Sequence, residues 1–233
     1  MSAKRIIVAI DGPAGAGKST LAKRVAEKLG YIYVNSGAMY RAVALWALRL
    51  GVALNDMHRL EQLAREAKIR LSLSDGRIFL NDEDVTEAIR DRAVSDAASK
   101  VSAVPGVRRA LVKLQRQIAE ENSIVMDGRD IGSVVFPGAQ VKIFLDADPK
   151  ERARRRALEL RGQGEDADVH VVAGELQKRD DRDRKRTEAP LVQAPDAELV
   201  DTTALTPEEV EETVLRIIRA KTSDGKAATG QGG

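Results

Sequence analysis

Three glycines, a lysine and a hydroxyl residue stand close together near the start of the chain, in "DGPAGAGKST" at residues 11–20. Gly12 to Ser19 match the spacing G-x-x-x-x-G-K-[ST] in full. The chemistry of such a loop is to hold the phosphates of a nucleoside triphosphate. Gly12, Gly15 and Gly17 let backbone N–H groups curl around phosphate oxygens. A helix N-terminus behind the loop adds partial positive charge. Lys18 reaches the β- and γ-phosphates, and Ser19 offers a hydroxyl to Mg²⁺. The run Gly12, Pro13, Ala14, Gly15, Ala16, Gly17, Lys18, Ser19 and Thr20 is therefore read as the ATP-binding segment. The loop leaves open where the terminal phosphate goes. The D-x-x-G and N-K-x-D signatures of GTPases are missing from the chain, which favours a small-molecule kinase.

A kinase with a phosphorylated acceptor must bring two polyanions together and neutralise the group in transit. Arginine suits this, because its planar fork binds phosphate oxygens in pairs and stays charged. Arg41 in "NSGAMYR" and Arg129 in "DGRD" are the first candidates. Arg129 follows a strand-like run, and ligands of open α/β sheets bind at such carboxyl ends. Arg152, Arg155 and Arg156 in "PKERARRRALELR" are the next, at i, i+3 and i+4 on one helix face. They suit phosphate binding and surface ion pairing equally. Asp127, at the end of "IVMD", can hold Mg²⁺ through water, with Asp146 at the end of "KIFLD" as the second choice. "RDDRDRKR", 179–186, contains only charged residues. Its default reading is a solvated helix laced with ion pairs. Arg179, Asp183 and Arg186 nevertheless share one face, where donors flanking an acceptor could read a sugar diol and a base.

The elements that must position these groups follow from the hydrophobic pattern. "RIIVAI" is a short apolar run of the kind that forms a buried parallel strand, and "STLAKRVAEKLG" is a helix capped at Gly30. "YIYV", "SIVMDGRD", "VKIFLDAD" and "AELVD" read as further strands. "GAMYRAVALWALRLG", "DMHRLEQLAREA", "VPGVRRALVKLQRQIAEE", "PKERARRRALELRG", "VVAGELQKRDDRDRKR" and "PEEVEETVLRIIRA" read as helices. Thr206 and Glu209 form a capping box for the last of these. "IRLSLSDGRIFLNDEDV" predicts an antiparallel hairpin turning at Ser74-Asp75-Gly76 and again at Asn81-Asp82. The alternation of strand and helix predicts an α/β fold, a parallel sheet flanked by helices, with the hairpin in an inserted lobe.

Composition narrows the partners. Charged residues make up 32% of 233, yet the net charge is only +2. A protein that lives on nucleic acid carries a larger basic excess, so the expected partners are small molecules and not nucleic acid. The absence of cysteine removes thiolate chemistry and cysteine-bound zinc, and His58 and His170 are too far apart in sequence to suggest a metal cluster. No apolar run is long enough for a signal peptide or a membrane span, which predicts a soluble, cytoplasmic protein, taken as a monomer.

Taken in order, "IDGPAGAGKST", "SGAMYR", "DGRDIGSVVFP", "KIFLDAD" and "KRDDRDRKR…APL" resemble bacterial cytidylate kinases, nucleoside monophosphate kinases of the P-loop class, over about the first 220 residues. The resemblance implies Mg²⁺-dependent transfer from ATP to CMP or dCMP. It implies that Arg41 and Arg129 hold the acceptor phosphate, with Ser36 in the same motif. It places Ser99, Arg108, Asp130 and Arg186 around the cytosine, with Asp130 near its exocyclic amine, and Arg179 and Asp183 on the pentose hydroxyls. The implied division is a P-loop core of 1–36 and 105–221, including a short helical lid near 157–170, and a monophosphate-binding region of 37–104. Residues 222–233 are expected to be a disordered tail. One departure stands out: the family commonly has Asp before "[ST]GA", and this chain has Asn35.

Overall fold

The apolar, β-branched run near the N-terminus forms β1 (Ile7–Asp11), buried along nearly its whole length. The structure, a computed structural model, describes residues 5–72 and 75–227. The glycine loop turns the chain into α1 (Lys18–Leu29), which Gly30 closes in a left-handed conformation with its N–H on the carbonyls of Ala26 and Glu27. Then come β2 (Ile32–Asn35) and α2 (Ser36–Arg49), the latter capped by Asn35, whose Oδ1 accepts the Ala38 N–H.

The inserted lobe begins with α3 (Met57–Glu66) and the expected hairpin: β3 (Ile69–Leu71), β4 (Ile78–Leu80) and β5 (Glu83–Asp84), antiparallel in that order. Ser74, placed in the first turn, lies outside the described residues. Asn81 and Asp82 make the second turn with φ of 49° and 69°, a conformation these two side chains tolerate better than most. The lobe also contains α4 (Arg92–Val101), a helix the sequence reading passed over. It buries Val94, Ala97, Ala98 and Val101 in the core shared with α2.

The chain returns to the main sheet through α5 (Pro105–Ile118), with Pro105 in its first turn, and β6 (Ile124–Asp127). A five-residue π-helical turn, Ile131–Val135, leads toward β7 (Val141–Asp146). Two antiparallel-running helices, α6 (Pro149–Gly162) and α7 (Val169–Arg184), flank the polar loop 163–168. They share a small core of Ala153, Ala157, Leu160, Val172 and Leu176 that also takes in Ala14 of the glycine loop. The chain ends with β8 (Glu198–Asp201) and α8 (Pro207–Ala227). Thr206 and Glu209 cap α8 reciprocally: the Glu209 N–H reaches Thr206 Oγ1 at 3.2 Å and the Thr206 N–H reaches Glu209 Oε2 at 2.8 Å. α8 runs through Ala227, and 228–233 of the expected tail lie outside the described residues.

The main sheet is parallel, in the order β2-β6-β1-β7-β8. β1 lies between β6 and β7, where the winding reverses, and a crevice opens at the carboxyl ends of the strands at such a point. The register brings the useful ends level: Asp127 pairs with Ile10 on one side and Asn35 on the other. Successive residues of β1 feed opposite faces: Val8 and Ile10 pack with α1 and α8, and Ala9 packs with β6 and the Ile131–Val135 turn. Gly12 is held at φ 143°, and a Cβ there would lie 1.9 Å from the Leu145 carbonyl oxygen, so only glycine allows β1 to leave the sheet this close to β7.

Candidate active site

A cleft of about 870 Å³ opens at this switch point, between the glycine loop, the inserted lobe and the α6–α7 pair. Its donor side is built by the turn from β1 into α1. Lys18 is buried and its Nζ donates to the Pro13 carbonyl at 2.5 Å. Burial, and then the Arg129 guanidinium, hold the Lys18 amine well below the usual lysine range, with Asp127 opposing them. A buried cation with so little compensation is a group that gains when an anion arrives.

Next to it, Ser19 Oγ donates to Asp127 Oδ2 at 2.8 Å. The other oxygen of Asp127 accepts from the Tyr33 hydroxyl at 2.9 Å, and Asn35 Nδ2 donates to that hydroxyl at 2.9 Å. Asn35 thus closes a ring around Asp127, and its Oδ1 lies 3.5 Å from Arg41 Nη2. Tyr33 was not singled out by sequence reasoning. Only the pairing of β2 with β6 brings it to Asp127. Asp146, the second choice for a metal-binding carboxylate, accepts the N–H of Ala147 at 2.9 Å and does not line the cleft.

The acceptor side gathers cations from four elements. Arg41 on α2 is half-buried and its buried Nε has no hydrogen-bond partner; burial lowers its pKa, against the pull of Asp127. Arg129 follows β6, with Nε on Asp183 Oδ2 at 2.9 Å. Arg179 on α7 is pushed down to about 9, by burial first and then by Arg129, and its Nε is also unpartnered. Arg156 on α6 lines the cleft while holding Glu159 at 2.7 Å. Asp183 is buried between Arg129 and Arg186; burial opposes its ionisation, but the two guanidinium groups keep its pKa below the usual carboxylate range. Three candidates of the charged run, Arg179, Asp183 and Arg186, do face the cleft.

Elsewhere in the cleft, Asp130 is buried and paired with Arg108, whose Nη1 also donates to the Ser102 carbonyl at 3.2 Å. Ser99 Oγ is buried beside them without a partner. Ser36 Oγ donates to the Asp127 carbonyl at 2.7 Å and lines the same cleft.

Two of the expected catalytic arginines stand elsewhere. Arg152 is buried against Asp180 at 2.6 Å and also donates to the carbonyls of Ala14 at 3.0 Å and Ala147 at 3.1 Å. Arg155 turns to Glu151 at 2.8 Å and to Thr202 at 2.7 and 2.9 Å. Neither lines the cleft. Shared helical spacing aligns Cβ atoms, but the long side chains follow their acidic partners, and only Arg156 reaches the cavity.

The model of the cytidylate kinase family matches residues 8–220. A cytidylate kinase of Solibacter usitatus (strain Ellin6076) is 58% identical over 225 residues, covering 96% of each chain. One of Caldanaerobacter subterraneus subsp. tengcongensis is 51% identical, covering 92% of this chain and 95% of the relative. Among solved structures, a gluconokinase of Sinorhizobium meliloti 1021 superposes with a TM-score of 0.52 at 14% identity, covering 97% and 98% of the two chains, a likeness of fold. A phosphate-binding loop facing an arginine-lined acceptor cleft is thus joined by relatedness along almost the whole chain, and this chain belongs to the cytidylate kinase family.

Proposed function

We propose that the protein transfers the γ-phosphoryl group of ATP to CMP or dCMP, giving ADP and the corresponding diphosphate. The observation that carries this reading is the pairing of two cationic clusters in one cleft: Lys18 by the glycine loop, and Arg41, Arg129 and Arg179, of which Arg41 and Arg179 keep an unpartnered Nε. Membership of the family supports the choice of cytidylate.

An oxygen of the acceptor phosphate attacks the γ-phosphorus, and the bond from that phosphorus to the β–γ bridging oxygen breaks in line. The acceptor needs no strong base, because a phosphate monoester has its second pKa near about 6 and is already ionised at neutral pH. Lys18 and the loop amides hold the donor phosphates, Arg41 and Arg129 hold the acceptor phosphate, and Arg156 approaches from the lid side. Positioning and charge neutralisation carry the rate. Ser19 and Asp127 form an oxygen-only donor pair beside the loop, which fits a hard divalent cation. They would hold Mg²⁺, Asp127 through water, and the ion would neutralise charge on the β- and γ-phosphate oxygens.

On the base side, the Asp130 carboxylate, steadied by Arg108, accepts from the cytosine amine and repels the carbonyl that uracil carries there. Ser99 and Arg186 complete the base contacts, and Arg179 and Asp183 take the pentose. The reading takes the protein as a monomer working on small nucleotides in the cytoplasm. Among the described residues no helix is long and apolar enough to cross a membrane.

ADP production from Mg-ATP with CMP, dCMP, UMP, AMP or GMP, beside an acceptor-free control, tests the proposal. Turnover concentrated on CMP and dCMP is expected. Equal rates with and without acceptors would overturn it.

A further inference from the structure

The transfer outlined above leaves one buried carboxylate in the centre of the fold without a task. Asp11 ends β1, one residue before Gly12, and is 5% exposed. It does not line the cleft. Its Oδ1 accepts the N–H of Ile131 at 2.8 Å, and its Oδ2 accepts the N–H of Gly132 at 2.7 Å. Those residues follow Asp130 directly.

The two amides need an outside acceptor. They open the Ile131–Val135 turn, and the first N–H groups of a helical turn have no partner within it. The later amides of the turn fold back on their own segment: those of Val134 and Val135 reach the Asp130 carbonyl at 2.9 and 3.1 Å. Buried donors are costly when unmet, so Asp11 decides where the turn sits. Gly132 fits closely over it: a Cβ there would lie 3.4 Å from Asp11 Oδ2 and 3.1 Å from Lys142 Cδ. Burial pushes the Asp11 carboxyl up to about 7, while the two amides pull it down; Asp130 raises it and Lys18 lowers it. The group therefore senses charge from both the base side and the donor side of the cleft.

We propose that Asp11 is a positioning residue for base selection. Through the amides of Ile131 and Gly132 it fixes the backbone from which the Asp130 carboxylate meets the base. Because Asp11 is continuous with Gly12, the base-reading carboxylate is registered against the phosphate loop by a single side chain. The inference rests on the cytidylate kinase reading and adds to it a residue that touches neither substrate.

The test is Asp11→Asn, which keeps the size of the side chain but offers one acceptor oxygen and places an N–H against the second amide. Steady-state kinetics with CMP and UMP, the KM for ATP and the thermal midpoint are read together with the unsubstituted protein. The KM for CMP is expected to rise about tenfold and the preference for CMP over UMP to fall by a similar factor, with the ATP KM within about threefold. A merely structural role would lower the midpoint and leave the CMP:UMP ratio alone, and that result overturns the inference. Equal losses toward ATP and CMP overturn it as well. Should the variant not fold, the intact protein decides: the Ile131 and Gly132 amide NMR signals shift on saturation with CMP and far less with UMP, and unshifted signals refute the role. Absence of CMP turnover in the unsubstituted protein would overturn the kinase reading and the inference together. Normal turnover with unchanged selectivity in Asp11→Asn overturns the inference alone.

Discussion

Arg152→Ala separates a catalytic arginine from one that supports the phosphate loop. In the structure the guanidinium is bound to Asp180 at 2.6 Å, and the two side chains are 5% and 2% exposed. The other oxygen of Asp180 accepts the Ala14 N–H at 3.3 Å, and Arg152 holds the Ala14 carbonyl at 3.0 Å. The pair therefore grips both backbone groups of Ala14 from below. Removing the arginine strands a buried carboxylate with one long hydrogen bond. Breaking a buried ion pair in this way costs about 3–5 kcal/mol. For a chain of this length each kcal/mol moves Tm by roughly 2–4 °C, so a fall of roughly 6–20 °C is expected. The double variant Arg152→Met/Asp180→Leu removes both charges, and most of the lost stability should return. Loss of a group that touches the transferring phosphoryl would instead cost on the order of a thousandfold in kcat. The assays are thermal unfolding and ADP production on the same preparations. Arg152→Ala should unfold early, turn over within about a hundredfold of normal, and regain activity in the double variant. A variant as stable as the parent, but slower by on the order of a thousandfold and not rescued by Asp180→Leu, would refute this account and restore Arg152 to the catalytic set.

Three further outcomes follow from the charges of the cleft. Arg179 is held at about 9 in the free protein, and an arriving nucleotide anion raises it again, so binding takes up a proton above that pH. The Kd for CMP should be steady to about pH 8 and rise toward tenfold per pH unit above about 9, as followed by calorimetry; a flat profile to about pH 10 would remove Arg179 from the site. Lys18→Met should cost on the order of a thousandfold in kcat while leaving thermal stability without nucleotide unchanged or higher, because burial and the Arg129 guanidinium outweigh Asp127 at this amine. Asn35→Asp places a second carboxylate beside Asp127 and draws Arg41 toward it. The acceptor KM should move by about fivefold, roughly 1 kcal/mol, with kcat changed less, and a large kcat effect at constant KM would contradict that.

What the sequence disclosed depended on how local the information was. The glycine loop was legible because every group it needs lies within one turn of chain, and its strand-before, helix-after setting could be checked in place. The Thr206–Glu209 cap and the Gly30 terminus were legible for the same reason. Helical spacing put Arg152, Arg155 and Arg156 on one face, yet it could not show that Asp180 and Thr202 would claim the first two, since those partners arrive through tertiary packing. Tyr33 gave no signal of its own. Its hydroxyl meets Asp127 only because β2 lies beside β6 with Asn35 level with Asp127. The α4 helix did carry a signal, apolar residues at 94, 97, 98 and 101, but Ser and Asp between them lowered its propensity. Burial against α2 settles its form.

The charged run shows the same division within the end of α7 and the two residues that follow it. Residues 179–186 read as a uniform stretch, and tertiary packing sorts them by direction. Arg179, Asp183 and Arg186 turn into the cleft. Asp180, one position from Arg179, turns toward the glycine loop and holds Ala14. Arg182 reaches across to Asp96 of α4 at 3.0 Å. One charged segment thus lines the cleft, supports the glycine loop and ties α7 to α4 of the inserted lobe. Its composition suggests none of this, because ion pairs on a solvated helix are worth little, whereas the buried carboxylates of this run, Asp180 and Asp183, are costly to leave unpaired and each is held by an arginine. Charge at high density on a helix that packs on two sides therefore points to contacts in two directions, and here those directions are the cleft and the glycine loop.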